Sequence, residues 1–152
     1  MRSRNLLVIL LTTAAATLIA AGAANALTAS YRAGALTATF TASTHYPNCK
    51  QLWPVTVTAR YNGKPAHATA YYQFLVGGQL VGTQYPFSGT SKNPHAHIWR
   101  FYSSFYDNTF GPFGALAEGH RLTVRAVVQV AGIRAYPGTW VRVQKANGCP
   151  AR

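Results

Sequence analysis

The sequence predicts an all-β protein, a seven-stranded antiparallel sandwich that follows an amino-terminal signal peptide. After residue 26, apolar and polar residues alternate with a period of two, which is typical of half-buried strands. No stretch of this part keeps the three-to-four-residue apolar spacing of an amphipathic helix. Turn-forming residues separate the alternating runs at short intervals, as in sandwiches.

The amino terminus has the three parts of a secretory signal peptide. Arg2 and Arg4 supply positive charge, residues 6–21 are largely apolar, and Ala24 and Ala26 place small side chains at the positions that a signal peptidase reads. We therefore expect cleavage after Ala26 and a protein that is secreted or held on the outer face of the cell envelope. The alternative is an uncleaved membrane anchor, because the apolar run is nearly long enough to span roughly 30 Å of hydrocarbon.

The remaining residues, 27–152, have the length of one domain. Without the leader, the chain has 126 residues, enough for a single hydrophobic core. It then has 12 Lys and Arg against 2 Asp and Glu, a net charge near +10. Such a surface attracts polyanions.

The first four strands are expected at 36–42, 53–61, 66–76 and 79–83. Asn62-Gly63 predicts a hairpin between the second and third strands, and Gly77-Gly78 predicts one between the third and fourth. The alternation assigns these residues to the buried side: Leu36, Ala38, Phe40, Trp53, Val55, Val57, Ala59, Tyr61, Ala68, Ala70, Tyr72, Phe74 and Val76.

The last three strands are expected at 96–105, 121–130 and 139–145. Long connections rich in Gly, Pro and Ser separate the fourth, fifth and sixth strands. The sixth strand has the clearest alternation of the chain. The buried side of these strands is assigned to Trp99, Phe101, Phe105, Leu122, Val124, Ala126, Val128, Val130, Val141 and Val143.

Two cysteines, Cys49 and Cys149, both follow the leader. An oxidising compartment favours a disulfide between them. Cys49 precedes the second strand and Cys149 follows the seventh, so six alternating strands place both at the same end of the domain. The chain-entropy model assigns about 4.7 kcal/mol to closing a loop of about 100 residues.

The segments GHRLTVRAVV (119–128) and TWVRV (139–143) carry a resemblance. They resemble the last two strands of bacterial immunoglobulin-like modules of the fibronectin III or PKD-like kind. The chain is also similar to secreted single-module proteins of actinobacteria without assigned activity. The resemblance covers roughly residues 36–145 and implies an immunoglobulin-like sandwich. It implies no catalytic residue, because fold alone does not carry function.

Two pairs of residues, histidines and carboxylates, are candidates for chemical sites. His95 and His97 are two apart, so on a strand both imidazoles would face one side and could bind zinc or copper. Asp107 and Glu118 are the two carboxylates of the mature chain, and both fall in the long connection before the sixth strand. No nucleophile-elbow motif is present. We therefore expect no enzymatic activity.

One basic and aromatic face remains as a candidate binding site. Four residues on the third, sixth and seventh strands alternate with the residues assigned to the core and are therefore expected to face outward: Tyr71, Arg125, Trp140 and Arg142. In an immunoglobulin-like arrangement these strands share one sheet. Arginine beside exposed aromatic rings could bind a sulfated, phosphorylated or uronic polymer, or another protein. The alternative is that the arginines only solubilise the face while Trp140 packs under a loop.

The sequence thus predicts a secreted binding or structural module without catalysis and without a cofactor. The expected partner is an anionic polymer of the envelope or another extracellular protein. Nucleic acid would suit a pI near 10.3, but export and the lack of a recognition motif argue against it. Membrane contact is expected only through an uncleaved leader. The alternative function is a small envelope metal-binding protein or enzyme that uses His95 and His97.

Overall fold

The computed structural model describes residues 26–48, 50, 52–85, 98–107 and 119–144, and every regular element in these ranges is a strand. The all-β prediction is confirmed for this part of the chain. The strands are β1 (Leu27–Ala33), β2 (Leu36–Ala42), β3 (Val55–Tyr61), β4 (Lys64–Pro65), β5 (His67–Val76), β6 (Gln79–Gln84), β7 (Trp99–Tyr102), β8 (Ser104–Asp107), β9 (Arg121–Val130), β10 (Ile133–Ala135) and β11 (Gly138–Arg142).

The strands form two sheets in which all strand pairs are antiparallel. The five-stranded sheet has the order β1-β2-β3-β4, with β8 also paired to β3. The six-stranded sheet has the order β10-β9-β5-β6, with β11 on β9 and β7 on β5. One isolated parallel bridge joins Asn48 to Gln144 beyond the end of β11.

The two sheets pack face to face around one hydrophobic core. Phe40 of the five-stranded sheet lies 6.4 Å from the ring of Tyr72 in the six-stranded sheet, measured between ring centroids. The ring centroids of Trp53 and Phe40 are 5.8 Å apart, and all three side chains are buried. Alternate residues of β2, β3, β5 and β9 fill the rest of this core. The inward assignments made from the alternation are therefore confirmed for most positions.

The strand count differs from the seven expected, because the described residues form eleven segments. The strand expected at 96–105 is interrupted at Ser103, whose φ of 62° lies in the left-handed region. The chain thereby leaves the six-stranded sheet as β7 and enters the five-stranded sheet as β8. The additional strands β1, β4 and β10 were not expected. β4 and β10 are too short to alternate visibly, and β1 follows the leader with little apolar contrast.

Val76 was assigned to the core, and this assignment is wrong. The pairing of β5 with β6 shifts register between Phe74 and Leu75. The pairing of β5 with β9 stays regular through Leu75, which is buried although it lies opposite the outward Thr123, and Val76 follows the end of that pairing and is exposed. Asp107 was expected in a connection, but it ends β8 and is buried.

The outer surfaces of the two sheets differ in composition. On the five-stranded sheet, the outward positions are mostly hydroxyl side chains, and we call this surface the hydroxyl face. It comprises Thr28, Ser30, Thr37, Thr39, Thr41, Thr56, Thr58 and Ser104. On the six-stranded sheet, the outward positions include Arg100, Arg121, Arg125, Arg134 and Arg142, and we call this surface the arginine face.

Several predicted features lie outside the described residues. These are the signal peptide, the cysteines, the histidine pair and one carboxylate, namely residues 1–25, Cys49, Cys149, His95, His97 and Glu118. Their predictions stay as stated.

Candidate functional site

The four residues of the predicted binding face lie on one sheet. β5, β9 and β11 are neighbours in the six-stranded sheet, with β9 between the other two. Directly paired residues of antiparallel strands share a face. Arg125 is opposite Gln73, Tyr71 is opposite Val127, and Arg142 is opposite Arg121. Tyr71, Arg125 and Arg142 alternate with buried residues and therefore face outward, and Val127 lies on the same side by register but is itself buried.

Trp140 is enclosed by its neighbours. The His45 ring lies parallel to the indole, with 3.9 Å between ring centroids and an interplanar angle of 5°. The Arg121 guanidinium carbon lies 4.7 Å from the indole centroid. β11 lies between β9 and the segment around His45, so the two groups approach from opposite sides. Both faces of the indole are thus covered.

Hydrogen bonds hold the segment that covers Trp140 in place. His45 Nδ1 lies 2.6 Å from the carbonyl oxygen of Trp140 itself, within hydrogen-bond distance. The backbone N–H of Arg142 donates to the carbonyl of His45 at 2.8 Å, and the N–H of Gln144 donates to the carbonyl of Pro47 at 2.8 Å. The expectation that Trp140 stacks on a ligand is therefore unsupported by its surroundings, and packing beneath a loop describes it better.

Arg125 is half-buried and oriented by two contacts. Its Nε donates to Gln73 Oε1 at 2.9 Å across the β5–β9 pair. Its guanidinium carbon lies 4.9 Å from the centroid of the Tyr136 ring, a cation–π contact. Gly138 is the residue opposite Arg125 on β11, and a Cβ there would lie 2.5 Å from the Cβ of Arg125. The absence of a side chain at 138 leaves room for this arginine.

Arg142 is exposed, whereas Tyr71 is half-buried like Arg125. The exposed Arg142 side chain has its Nε 3.3 Å from the carbonyl oxygen of Gly119, to which it donates. Tyr71 packs against Tyr85, with 5.7 Å between ring centroids. Arg121 and Arg142 form one exposed pair at the end of the sheet, with Cα atoms roughly 5 Å apart.

The arginine face carries one sign of charge. Of the seven arginines among the described residues, five lie on it. Asp107 is the single carboxylate that the described ranges contain, and it is buried beneath the other side of the fold, 5% exposed. Burial, and secondly the negative charge of Asp107, raise the pKa of the Tyr72 hydroxyl. No acidic side chain in the described part of the chain therefore neutralises the five arginines.

Three of these arginines were not part of the face predicted from the sequence. Arg121 has the same parity as Arg125 on β9, so the alternation alone could have placed it outward. Arg100 and Arg134 lie on short strands that pair with Thr69 and Gln129, and only the register brings them to this face. The five positions extend along β9 over about 27 Å, at about 3.4 Å per residue.

The predicted chemical alternatives gain no partners from the described residues. In those ranges, no three His, Cys, Asp or Glu side chains cluster as metal ligands would. The metal hypothesis for His95 and His97 stays a prediction, since both lie outside these ranges. No helix among the described residues is long and apolar enough to cross a membrane.

Comparisons with known proteins identify no relative. No protein-family model, no curated protein and no solved structure matches the chain. The geometry and charge of its own surfaces are therefore what indicate its function.

Proposed function

We propose that the protein is a secreted immunoglobulin-like β-sandwich module that binds anionic polymers outside the cell through its arginine face. The observation that carries the proposal is the segregation of charge. Five arginines occupy one sheet surface, and the single described carboxylate is buried elsewhere. A surface of one sign that extends about 27 Å can contact several charges of an extended polymer at once.

The arrangement suits a polymer better than a single small anion. Arg121 and Arg142 lie side by side at one end, Arg125 lies in the middle, and the other two lie toward the opposite end. Each exposed ion pair contributes only about 0–1 kcal/mol. Several such contacts on one chain add up, and each displaces bound counterions, so binding should weaken steeply with salt as it does for other polyanions.

The proposed function includes secretion of the protein. The leader features at Arg2, Arg4, Ala24 and Ala26 support secretion. Amino-terminal sequencing of protein recovered from the medium should find Leu27 first. Recovery only from membranes, with residues 1–26 intact, would instead favour the anchor.

The disulfide belongs to the same proposal. Asn48, next to Cys49, pairs with Gln144, five residues before Cys149. This backbone pairing of Asn48 with Gln144 supports the expectation that both cysteines lie at one end of the domain. Alkylation of the folded protein should label no thiol before reduction and two thiols after it. Two thiols labelled without reduction would contradict the pairing.

The binding proposal is tested by retention on immobilised heparin over a salt gradient. The double variant Arg121→Ala/Arg142→Ala should elute at clearly lower salt than the parent, because each lost contact lowers the salt slope by about one. The matched control is Arg32→Ala/Arg60→Ala, which removes two exposed arginines from the other sheet. Equal shifts for the two variants would show that net charge alone governs retention and would overturn the assignment to this face.

A further inference from the structure

One end of the arginine face is concave. A hollow of about 480 Å³ opens where β5 begins and β9 ends, and its lining includes His67, Thr69, Arg100, Tyr102 and Gln129. This volume falls within the roughly 300–1,000 Å³ typical of ligand sites. None of these residues belongs to the face predicted from the sequence.

The strand register builds the hollow from two rows. Thr69 on β5 is opposite Gln129 on β9 and also opposite Arg100 on β7, so hydroxyl, amide and guanidinium groups stand in one row. The next row holds His67 opposite Tyr102. The two rings are 4.3 Å apart between centroids, and Tyr102 is still 58% exposed. The hollow therefore combines an accessible aromatic ring with polar groups and one cation.

A second arginine orients the amide. Arg134 Nε donates to Gln129 Oε1 at 3.1 Å. With its oxygen accepting from Arg134, the Gln129 amide offers its nitrogen as a donor. Thr69 supplies a hydroxyl that donates or accepts, and Arg100 supplies a planar set of N–H donors. The polar row thus consists mainly of hydrogen-bond donors, which suits an anionic ligand that also carries hydroxyl groups.

We propose that this hollow binds one acidic sugar unit, a uronic acid or sulfated hexose, of the anionic polymer. The inference rests on the proposed function and names its ligand class. The C–H face of a sugar ring packs on Tyr102, the carboxylate or sulfate pairs with Arg100 in a bidentate manner, and the hydroxyls bond to Gln129 and Thr69. A polyphosphate has the charge but no apolar face for the tyrosine ring. The mainly apolar walls, to which Phe101 and Val130 contribute, favour the sugar.

The test uses a uronic tetrasaccharide and a polyphosphate of equal charge as probes, with the secreted protein and titration calorimetry. Tyr102→Ala leaves the charge unchanged and should weaken tetrasaccharide binding about 3- to 10-fold, the range expected for one aromatic contact. Polyphosphate binding should stay unchanged. The matched control is Tyr106→Ala, which removes a 61%-exposed tyrosine from the other sheet and should change neither affinity.

Arg100→Ala should weaken binding of both probes, and binding of the tetrasaccharide should weaken more. Arg60→Ala is the charge-matched control. If the parent binds heparin and the tetrasaccharide but Tyr102→Ala binds both as the parent does, the hollow is not the sugar site, although the arginine face still binds polyanions. If the parent binds no anionic polymer at low salt, the proposed function itself fails. Tighter binding of single-stranded DNA than of the tetrasaccharide, lost in Tyr102→Ala, would overturn the sugar assignment in favour of a nucleic acid.

Discussion

The hydroxyl face and the arginine face have the same architecture, but one presents mostly neutral hydroxyl groups and the other presents guanidinium groups. Both are outer surfaces of antiparallel sheets whose inner residues meet in one core. On the hydroxyl face, side chains bond to each other across strands. Ser30 Oγ lies 2.8 Å from Thr39 Oγ1, and Thr28 Oγ1 lies 3.2 Å from Thr41 Oγ1. On the arginine face, long cationic side chains rest on aromatic rings and amides instead.

The difference shows which surface is suited to a partner. Short β-branched side chains such as Thr fit an exposed pleated surface and need little beyond water and each other. Guanidinium groups gathered with no carboxylate among the described residues beside them repel one another, and an anion relieves this repulsion. Two of them, Arg121 and Arg125, are also held over aromatic rings, which limits their motion before any ligand arrives.

The largest effect should come from the core that the two faces share. Phe40→Ala removes a fully buried ring that contacts Trp53 and Tyr72 across the interior. It should lower the free energy of unfolding by about 3–5 kcal/mol, measured by urea denaturation. Both faces should lose order together, since they have no separate core. A loss below about 1 kcal/mol would mean that the two sheets are held mainly by something other than this contact.

Gly138→Ala changes only the sheet of the arginine face and should lower the free energy of unfolding by less than Phe40→Ala does. The added Cβ would lie 2.5 Å from the Val124 carbonyl oxygen and 2.5 Å from the Arg125 Cβ, so β11 must move away from β9. We expect a loss of about 1–3 kcal/mol in urea denaturation.

Gly82→Ala is the matched control for Gly138→Ala. Its Cβ would meet only Phe74 Cδ2 at 3.6 Å, an ordinary contact. If the two alanine variants lose equal stability, close packing at Gly138 is not the cause. A selective loss at Gly138 that also weakens heparin retention would tie the position of β11 to binding.

The alkaline titration of Tyr72 tests the core beneath the arginine face. Tyr72 is buried and its pKa is raised above the ordinary value of 10.0, whereas its neighbour Tyr71 faces outward. The folded state holds the Tyr72 proton more tightly than the unfolded chain. The contribution of this proton to the free energy of unfolding is therefore fully present below pH 10 and is lost as the pH rises above it. The slope for one such proton is at most about 1.4 kcal/mol per pH unit.

Urea denaturation of the parent and of Tyr72→Phe at pH 8 to 11 measures this effect. The parent should lose stability above pH 10 more steeply than Tyr72→Phe, which has no proton to lose at this position. Identical slopes for the parent and Tyr72→Phe would show that Tyr72 does not govern alkaline stability.

The smallest effect should come from the hydroxyl face. Ser30→Ala/Thr39→Ala removes the 2.8 Å contact between exposed hydroxyls. Exposed substitutions of this kind usually stay within about 0.5 kcal/mol per site. Heparin retention should equal that of the parent. A shift as large as that of Arg121→Ala/Arg142→Ala would remove the functional contrast between the two faces.

Much of this fold could be predicted from local pattern. β2 and β9 were expected at their observed bounds, because each alternates without a break between turn residues. The turn at Asn62-Gly63 was expected from its residue types, and both residues have positive φ. The hairpin partner was wrong, because the turn joins β3 to the two-residue β4, while β5 belongs to the other sheet. The same alternation placed Tyr71, Arg125, Trp140 and Arg142 on the outer side of the strands.

The sequence by itself determined which side of a strand each residue occupies, because the period of two is a property of the extended backbone. Only the tertiary structure decided which strands became neighbours and what covers them. His45 stacks on Trp140 from 95 positions away, and Arg100 joins Gln129 in one row through the pairing of β7 and β9 with β5. The crossing at Ser103 depends on where two sheets meet. Such contacts are set by packing between distant segments, and local periodicity carries no information about them.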